Sequence, residues 1–309
     1  MTQNRTGFDG KYMKIKYSSD EKIFTINEEG IPFLSFDMLD ALGVPNAFTT
    51  RYKSWDAVSG SGETGLRVAR MRNETYEEAA PAMKENLGRL AKQLGTSLDM
   101  YGVTQQQHTA NVYVLKEEDL GFGPLHEERQ GIDGVVTDVP DAMLVAYGGD
   151  CPPVYIVDPV YKAIGLVHAG RKGTFAGIPQ VAIETMAREY GSRPEDMYAA
   201  VGPGICMDCY EMGDEIYDEL AAVWGTDDAD RLMKRYPATD ADGNEIPGGK
   251  YHLDLWTANH MTLLRAGIPE EHIRITNVCT CCNADTLYSY RARRMENEGA
   301  GILVNRFAK

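Results

Sequence analysis

Two features that mark membrane and exported proteins are missing from this 309-residue sequence. No stretch approaches the roughly 18 apolar residues of a membrane-spanning helix, and the first residues lack the apolar core of a signal peptide. Cysteine is also sparse, with six residues, which we expect to be reduced thiols or metal ligands rather than disulfides. The sequence therefore indicates a cytoplasmic protein with no membrane partner.

Basic residues are also few compared with acidic ones. Lys and Arg number 31 against 46 Asp and Glu, which gives a formal net charge of −15 at pH 7. Such a surface repels nucleic acid, so no nucleic-acid partner is expected, and the charge is interpreted as a source of solubility. Hydrophobic residues nevertheless make up 43% of the chain, which is enough for a substantial core.

The pattern of apolar residues predicts both helices and strands. Helical spacing runs through residues 75–94, 175–191, 212–225 and 254–267. Strand-like runs are more numerous and often follow one another directly; they are 22–26, 31–36, 47–51, 101–107, 111–115, 134–138, 142–148, 154–158, 163–169 and 198–202. We therefore predict an α+β fold with mixed β-sheet layers flanked by helices, rather than a strict βαβ repeat.

Two stretches have the composition of connecting segments. Residues 55–65 are rich in Gly and Ser, and residues 236–250 are rich in Pro, Gly and Asp. Core-like patterning resumes directly after the second stretch, which predicts an exposed excursion rather than a domain boundary. No internal repeat is evident, so a single domain is expected over residues 1–309.

Three potential metal ligands lie near predicted strand ends in the middle of the chain: His108, Cys151 and His168. Two imidazoles and a thiolate occupy three positions of a tetrahedral zinc site and leave one for water, which distinguishes a catalytic zinc from a structural one. The same atoms allow another chemistry, because Cys151 and His168 could form a thiolate–imidazolium pair that attacks an acyl carbon. The residues alone leave both hypotheses open.

The other five cysteines form a second pattern. Cys206 and Cys209 make one C-x-x-C pair, Cys279 and Cys282 make another, and Cys281 lies inside the second pair. Paired C-x-x-C motifs commonly build a closed structural zinc site. Buried neighbouring thiols or a redox-active pair would have the same spacing.

Charged residues near the candidate ligands could bind a substrate. A glycine-rich turn after His168 carries Arg171 and Lys172, and it could hold an anion, most naturally phosphate, although its glycine spacing is not that of a Walker motif. Three further charged residues are candidates for the same cleft: Asp150, Arg51 and Arg291.

Eight motifs occur together in one order: FTTR at 48–51, Q-x-H at 106–108, DGVVTD at 133–138, DCPPV at 150–154, HAG-x-x-GT at 168–174, GPGI with YE at 202–211, DLW-x-AN at 254–259, and CT-x-C-x-x-D with SYR at 279–291. With these motifs the chain resembles the laccase-domain family, also described as polyphenol oxidases and as purine nucleoside phosphorylases, which includes the bacterial peptidoglycan editing factor. The resemblance begins near residue 45 and leaves a variable N-terminal segment of about residues 1–45.

The resemblance implies an α+β fold and a zinc ion held by His108, Cys151 and His168, with Cu²⁺ less expected. It implies that the other five cysteines are not the principal metal site. The implied reaction is phosphorolysis of adenosine, inosine, guanosine or methylthioadenosine, with deamination of adenosine as a further activity. Purine nucleoside and phosphate are the expected partners. From the chemistry that these reactions need, our candidates for catalysis are Asp150, as a proton shuttle, and Cys151; the candidates for phosphate or ribose binding are Arg51, Arg171, Lys172 and Arg291.

Two alternatives belong to the same resemblance. One is a hydrolase that edits peptidoglycan precursors through Cys151 and His168. The other is a copper-dependent polyphenol oxidase, which ranks lower because the chain has only six histidines and the ligand set suits one copper at most. The sequence departs from the family pattern at Arg171 and Lys172, where Trp and Arg are expected, and at Thr109, where glycine is expected. These departures bear on the substrate more than on the metal, and a purely binding role would follow if they closed the pocket.

Overall fold

The computed structural model describes residues 5–7, 13–51, 76–121, 129–293 and 299–307, so the predicted Gly- and Ser-rich loop at 55–65 lies outside the described residues. Within them the strands are β1 (Arg5–Gly7), β2 (Ile15–Tyr17), β3 (Phe24–Asn27), β4 (Phe33–Phe36), β5 (Asn46–Thr49), β6 (Tyr101–Gln105), β7 (Val112–Val114), β8 (Arg129–Gln130), β9 (Gly134–Thr137), β10 (Met143–Gly148), β11 (Pro153–Asp158), β12 (Ala163–His168), β13 (Tyr198–Val201), β14 (Glu211–Met212), β15 (Met233–Tyr236), β16 (Lys250–Leu253), β17 (Ile273–Ile275) and β18 (Gly299–Val304).

The helices of the same residues are α1 (Asp37–Ala41), α2 (Tyr76–Gln93), α3 (Arg171–Phe175), α4 (Ile178–Tyr190), α5 (Asp214–Trp224), α6 (Thr226–Leu232), α7 (Leu255–Arg265) and α8 (Tyr290–Arg293). The four predicted helices are present. Two of them end at a glycine with positive φ, because Gly191 (φ 77°) follows α4 and Gly225 (φ 89°) follows α5. No helix of the described ranges combines the length and the apolar content needed to cross a membrane.

Two large mixed sheets form the centre of the molecule. The first sheet has the order β3-β4-β5-β18-β10-β6-β8, and the second sheet has the order β17-β13-β11-β12-β9-β7. Both combine parallel and antiparallel pairs. A smaller sheet, β14-β16-β15, packs with α5, α6 and α7, and β1 pairs with β2. The predicted α+β fold with mixed sheet layers is confirmed, while the single domain stays a prediction.

Alternating side chains bury both faces of each large sheet. In β10, Leu144 and Ala146 point between the two sheets, whereas Val145 and Tyr147 point toward α2. The second sheet follows the same rule, because its inner side chains join the inter-sheet core and its outer ones pack against α4 and α7. The period of two in a strand thus produces a helix, sheet, sheet, helix order of layers.

Some central elements escaped the sequence analysis. β18 lies between β5 and β10 in the first sheet, yet its sequence opens with Gly-Ala-Gly, which weakens the strand pattern. A Cβ atom on Gly301 would lie 2.7 Å from Pro153 and 2.8 Å from the hydroxyl of Tyr155. Glycine is therefore required where the two sheets approach closely.

The predicted excursion at 236–250 is confirmed as a largely exposed connection between β15 and β16.

Candidate metal centre and active site

The register of the second sheet brings the candidate ligands together. Pro153 at the start of β11 pairs with His168 at the end of β12, which places Cys151 next to His168. Gly134 at the start of β9 pairs with Val167, so Asp133 lies on the other side of His168. His108 belongs to the turn between β6 and β7 and reaches the same point.

The geometry suits a single metal ion. The ligand atoms of His108, Cys151 and His168 all lie within 4.8 Å of one another, and the Sγ atom of Cys151 is 3.9 Å from Nε2 of His108. His168 is buried, Cys151 is half-buried and His108 is exposed. The site therefore opens to solvent on the side of His108, where a fourth ligand can enter.

Asp133 organises this group, although the sequence analysis did not select it. Its carboxylate lies 2.9 Å from Nδ1 of His168 and accepts hydrogen bonds from the backbone amides of Gln107, His108 and Thr109 at 2.8–3.0 Å. An Nδ1–H donated to Asp133 leaves Nε2 of His168 for a metal. The missed signal is an acidic residue directly before a buried strand that pairs with the strand of a candidate ligand.

The hydrogen bonds to Asp133 also set its charge and hold a strained turn. Burial alone would raise the pKa of the carboxyl, but donors from His168 and from residues 107–109 hold it well below its usual range. His108 has a φ of 60°, which is uncommon for a residue with a side chain. Thr109 adds a hydroxyl donor to Asp133 at 2.8 Å, so this departure from glycine strengthens the turn.

Gly170 leaves room for the ligands. A Cβ atom at this position would lie 2.7 Å from the Sγ atom of Cys151 and 3.1 Å from Cδ2 of His108. The contact with Cys151 is closer than real Cβ atoms come and would displace that side chain, and the contact with His108 would be tight. The glycine of the HAG motif is thus explained by the space that the metal ligands need.

Cys151 and His168 perturb each other. Burial acts to raise the pKa of the Cys151 thiol, but the charge of His168 and hydrogen bonds from both imidazoles lower it to about 7. Burial acts to lower the pKa of His168, yet Cys151 and Asp133 together raise it to about 10. The protein alone therefore favours a thiolate beside an imidazolium, and the thiolate is the form that binds a metal or attacks a carbon.

Asp150 is held by the protein on both carboxylate oxygens. Thr280 donates its hydroxyl to Oδ1, and the backbone amide of Arg291 donates to Oδ2, each at 2.7 Å. Burial raises the pKa of Asp150, while these hydrogen bonds oppose the rise. Asp150 therefore directly precedes Cys151 and has a pKa above its ordinary value.

Three of the four predicted cationic residues have partners within the protein. Arg171 forms an ion pair with Glu219. Arg51 donates to the carbonyl of Ala284 at 3.0 Å, and Arg291 donates to the carbonyls of Cys209 and Glu211 at 3.4 and 3.0 Å.

Lys172 and Tyr210 complete the surroundings of the site. Lys172 is exposed, and its ammonium group has no partner within the part of the chain that the structure describes. Burial and the charge of Cys151 raise the pKa of Tyr210, whereas Arg171 and Arg291 oppose the rise. Tyr210 therefore lies within electrostatic range of the thiolate and of two candidate substrate-binding residues, and in the sequence it stands out only through the Tyr-Glu motif at 210–211.

The C-x-x-C cysteines gather at a second point. The Sγ atoms of Cys206, Cys209, Cys279 and Cys282 lie within 4.8 Å of one another, and Cys281 is not a member of this set. Together with the first group they are the metal-binding candidates within the described ranges.

Comparison with curated proteins supports the motif-based resemblance. Purine nucleoside phosphorylase YlmD of Geobacillus stearothermophilus is 32% identical over 211 residues, which cover 68% of this chain and 73% of the relative. Purine nucleoside phosphorylase of Deinococcus radiodurans is 34% identical over 254 residues, which cover 81% and 84%. Adenosine deaminase RL5 from an unknown prokaryotic organism is 32% identical over 205 residues, which cover 65% and 73%.

Solved structures share the fold. YlmD from Geobacillus stearothermophilus superimposes with a TM-score of 0.72 at 26% identity, covering 93% of this chain and all of that one. The hypothetical protein YfiH of Bacillus licheniformis gives 0.72 at 24% identity, covering 90% and 98%. The family model described as multi-copper polyphenol oxidoreductase laccase matches residues 58–304. This chain therefore belongs to the laccase-like family of multi-copper polyphenol oxidoreductases, in which its curated relatives bear the names of purine nucleoside enzymes.

Proposed function

We propose that this protein is a zinc-dependent purine nucleoside phosphorylase that acts on adenosine, inosine, guanosine or methylthioadenosine. The observation that carries the proposal is the convergence of His108, Cys151 and His168 in a chain whose relatives include enzymes named purine nucleoside phosphorylase. Two imidazoles and one thiolate suit zinc and leave a coordination position free.

The surroundings of the three ligands fit a resident zinc ion. Asp133 is the outer partner that a metal-binding histidine usually has, and Gly170 keeps side-chain atoms out of the ligand space. When bound, zinc would polarise an oxygen atom or lower the pKa of a water molecule. The protein itself positions the imidazoles and supplies the thiolate.

Phosphorolysis requires a site for phosphate beside the anomeric carbon of the nucleoside. An oxygen of phosphate bonds to the anomeric carbon while the bond between that carbon and the purine nitrogen breaks. The released purine takes up a proton. Lys172 is the leading candidate for the phosphate contact, because it is exposed and lies two residues after Gly170, which leaves room for the metal ligands. Arg51, Arg171 and Arg291 remain candidates for phosphate or ribose contacts after leaving their protein partners.

Deamination of adenosine is a second proposed activity. Adenosine deaminase RL5 is among the relatives of this chain. In deamination the oxygen of a water molecule bonds to C6 of the purine and the 6-amino group leaves as ammonia, which requires a group that moves a proton from the water to the amine. Burial raises the pKa of Asp150, which lets a carboxyl group hold a proton closer to neutral pH. We assign Asp150 the role of proton shuttle in this reaction.

One alternative function has an observation in its favour. The thiolate–imidazolium pair of Cys151 and His168 is also the arrangement of a cysteine hydrolase, as the peptidoglycan-editing hypothesis requires. That reaction has no need for His108 as a third converging ligand. The copper oxidase hypothesis ranks lower still, since the described histidines supply two ligands to one site.

The decisive test replaces a ligand without disturbing the core. His108 is exposed and has positive φ, a conformation that asparagine tolerates, so His108→Asn should fold normally. We expect this variant to lose zinc and to release purine from inosine and adenosine more than about 100-fold more slowly in phosphate, since loss of an outer partner alone costs about 10–100-fold. His260→Asn is the matched control, because His260 pairs with Glu270 on the surface.

The two proposed activities separate in the same assay. Omission of phosphate should stop purine release but leave conversion of adenosine to inosine unchanged. A zinc-loaded wild-type protein that releases no purine from any of the four nucleosides would contradict the phosphorylase proposal. Activity toward a peptidoglycan precursor that survives in His108→Asn and fails in Cys151→Ala would favour the hydrolase.

A further inference from the structure

Four cysteines outside the candidate active site form a compact ligand set of their own. The Sγ atoms of Cys206, Cys209, Cys279 and Cys282 all lie within 4.8 Å of one another, and those of Cys209 and Cys282 are 3.6 Å apart. Cys279 is buried and the other three are half-buried. We propose that these four thiolates hold a structural zinc ion, distinct from the metal of His108, Cys151 and His168.

The fold brings the two C-x-x-C pairs together from distant parts of the chain. The first pair follows β13 and the second follows β17, which are parallel neighbours in the second sheet. Beyond these strands the two loops continue side by side, because Gly204 pairs with Cys279 and the amide of Thr280 donates to the carbonyl of Gly204 at 3.1 Å. The backbone pairing of β13 and β17 thus continues into the two loops and brings the four cysteines together.

Backbone donors surround the sulfur atoms as they do in metal sites. The amides of Cys206 and Cys282 point at the Sγ atom of Cys279, at 3.3 and 3.4 Å. Amide donors stabilise a thiolate and orient it for a metal. The guanidinium of Arg291 contacts the carbonyl of Cys209 and brings positive charge beside a site that would be negative when four thiolates bind one divalent ion.

The spacing of the sulfurs fits a single tetrahedral ion better than a four-iron cluster, and zinc is the usual occupant of such a structural site. Zn–S bonds of about 2.3 Å in a tetrahedron place the sulfurs about 3.8 Å apart, close to the 3.6 Å between Cys209 and Cys282. A four-iron cluster would hold the sulfurs farther apart, because each thiolate binds a different iron atom. All four cysteines are free thiols in the structure, so each can bind a metal as a thiolate.

The site would fasten the loop that carries an active-site ligand. Thr280, between two of the cysteines, donates its hydroxyl to Asp150 at 2.7 Å, and the amide of Ile205 donates to the carbonyl of Asp150 at 2.8 Å. Asp150 has a φ of 150° and directly precedes Cys151. A metal with four protein ligands has no open position for a substrate, so its role is to fix these loops.

Cobalt substitution tests the proposal directly. In the Cys151→Ser protein the first site no longer has a sulfur ligand, so any sulfur-to-cobalt charge transfer must come from the four-cysteine site. We expect this protein to bind Co²⁺ there with the intense visible absorption of a tetrahedral sulfur site, and Zn²⁺ should displace it. Adding Cys209→Ser should remove most of that absorption. Adding Cys281→Ser, the matched control outside the ligand set, should leave it unchanged.

Metal content gives a second measurement that does not depend on the cobalt spectrum. The wild-type protein purified under reducing conditions should contain about one more zinc per chain than Cys151→Ser does, and Cys151→Ser itself should retain zinc. Iron, a disulfide among the four cysteines, or a Cys151→Ser protein that binds neither Zn²⁺ nor Co²⁺ would overturn the proposal. None of these results depends on which reaction the first site performs.

Discussion

The two groups of candidate metal ligands differ in chemistry and exposure. The first combines two imidazoles with one thiol and includes the exposed His108, whereas the second has four thiols, none of them exposed. An incomplete ligand set leaves a place for a reactant, while a complete one fixes the chain. A cysteine ligand can therefore belong to a catalytic or to a structural metal site, and the other ligands of the ion determine which of the two it is.

The largest expected effects come from making the same substitution in each group. Cys151→Ser should reduce phosphate-dependent purine release by more than about 100-fold and change the free energy of unfolding little. Cys209→Ser should lower that free energy by several kcal/mol, since the binding energy of a structural zinc contributes to folding. Purine release and urea unfolding measure the two effects. Equal losses of stability in both variants would contradict the difference in role between the two groups.

A smaller effect is expected at the carboxylate that supports the first group. Asp133→Asn replaces an acceptor of three backbone amides and His168, and it should weaken zinc binding there by about 10–100-fold. Competition with a chromogenic chelator measures this affinity. Asp119→Asn is the control, because Asp119 is also a buried hydrogen-bonded carboxylate but lies away from both groups. A similar loss of zinc in both variants would show that Asp133 has no special role.

Gly170→Ala tests whether the space around the ligands of the open site limits zinc binding. The new methyl group would meet Cys151 at 2.7 Å, and overpacking of about 1–3 kcal/mol corresponds to a loss of zinc affinity of about 5-fold to 150-fold. Gly88→Ala is the matched control, because nothing lies within 4 Å of a Cβ atom there and alanine in helix α2 should add up to about 1 kcal/mol of stability. Zinc titration of both variants decides the matter. Unchanged zinc affinity in Gly170→Ala would mean that the ligand space is not tight.

The smallest expected effect concerns a carboxylate outside both groups. Burial acts to raise the pKa of Asp119, but hydrogen bonds from Lys116, Tyr113 and Arg129 lower it below the ordinary value of 3.8. A depressed pKa adds stability that is present above the unfolded value and is lost as pH falls through the folded value. Asp119→Asn should therefore cost about 1–2 kcal/mol at pH 7 and progressively less below pH 3.8. Urea unfolding across this range checks the prediction, and a cost that grows as pH falls would contradict it.

The sequence predicted the residues of both groups but not how they are held. Strand ends and motif order identified His108, Cys151 and His168, because the strands around them have a strong apolar pattern. Asp133 escaped, since its role comes from the pairing of β9 with β12, which depends on strand order and not on spacing along the chain.

Long-range contacts account for the other differences. The spacing of the C-x-x-C pairs could not show that loops 73 residues apart meet, which follows from the adjacency of β13 and β17. Nor could it show that Arg171 pairs with Glu219, 48 residues away. β18 was missed because glycines that allow the two sheets to approach closely also weaken the pattern of a strand.

Graded removal of metal separates the roles of the two ligand groups. Wild-type protein is titrated with a chelator while zinc content, phosphate-dependent purine release and unfolding temperature are followed together. We expect the first zinc to leave from the open site and purine release to be lost with it, while most of the fall in unfolding temperature accompanies loss of the second zinc. Purine release that survives loss of the first zinc, or falls only together with the unfolding temperature, would contradict the division between an open catalytic site and a closed structural one.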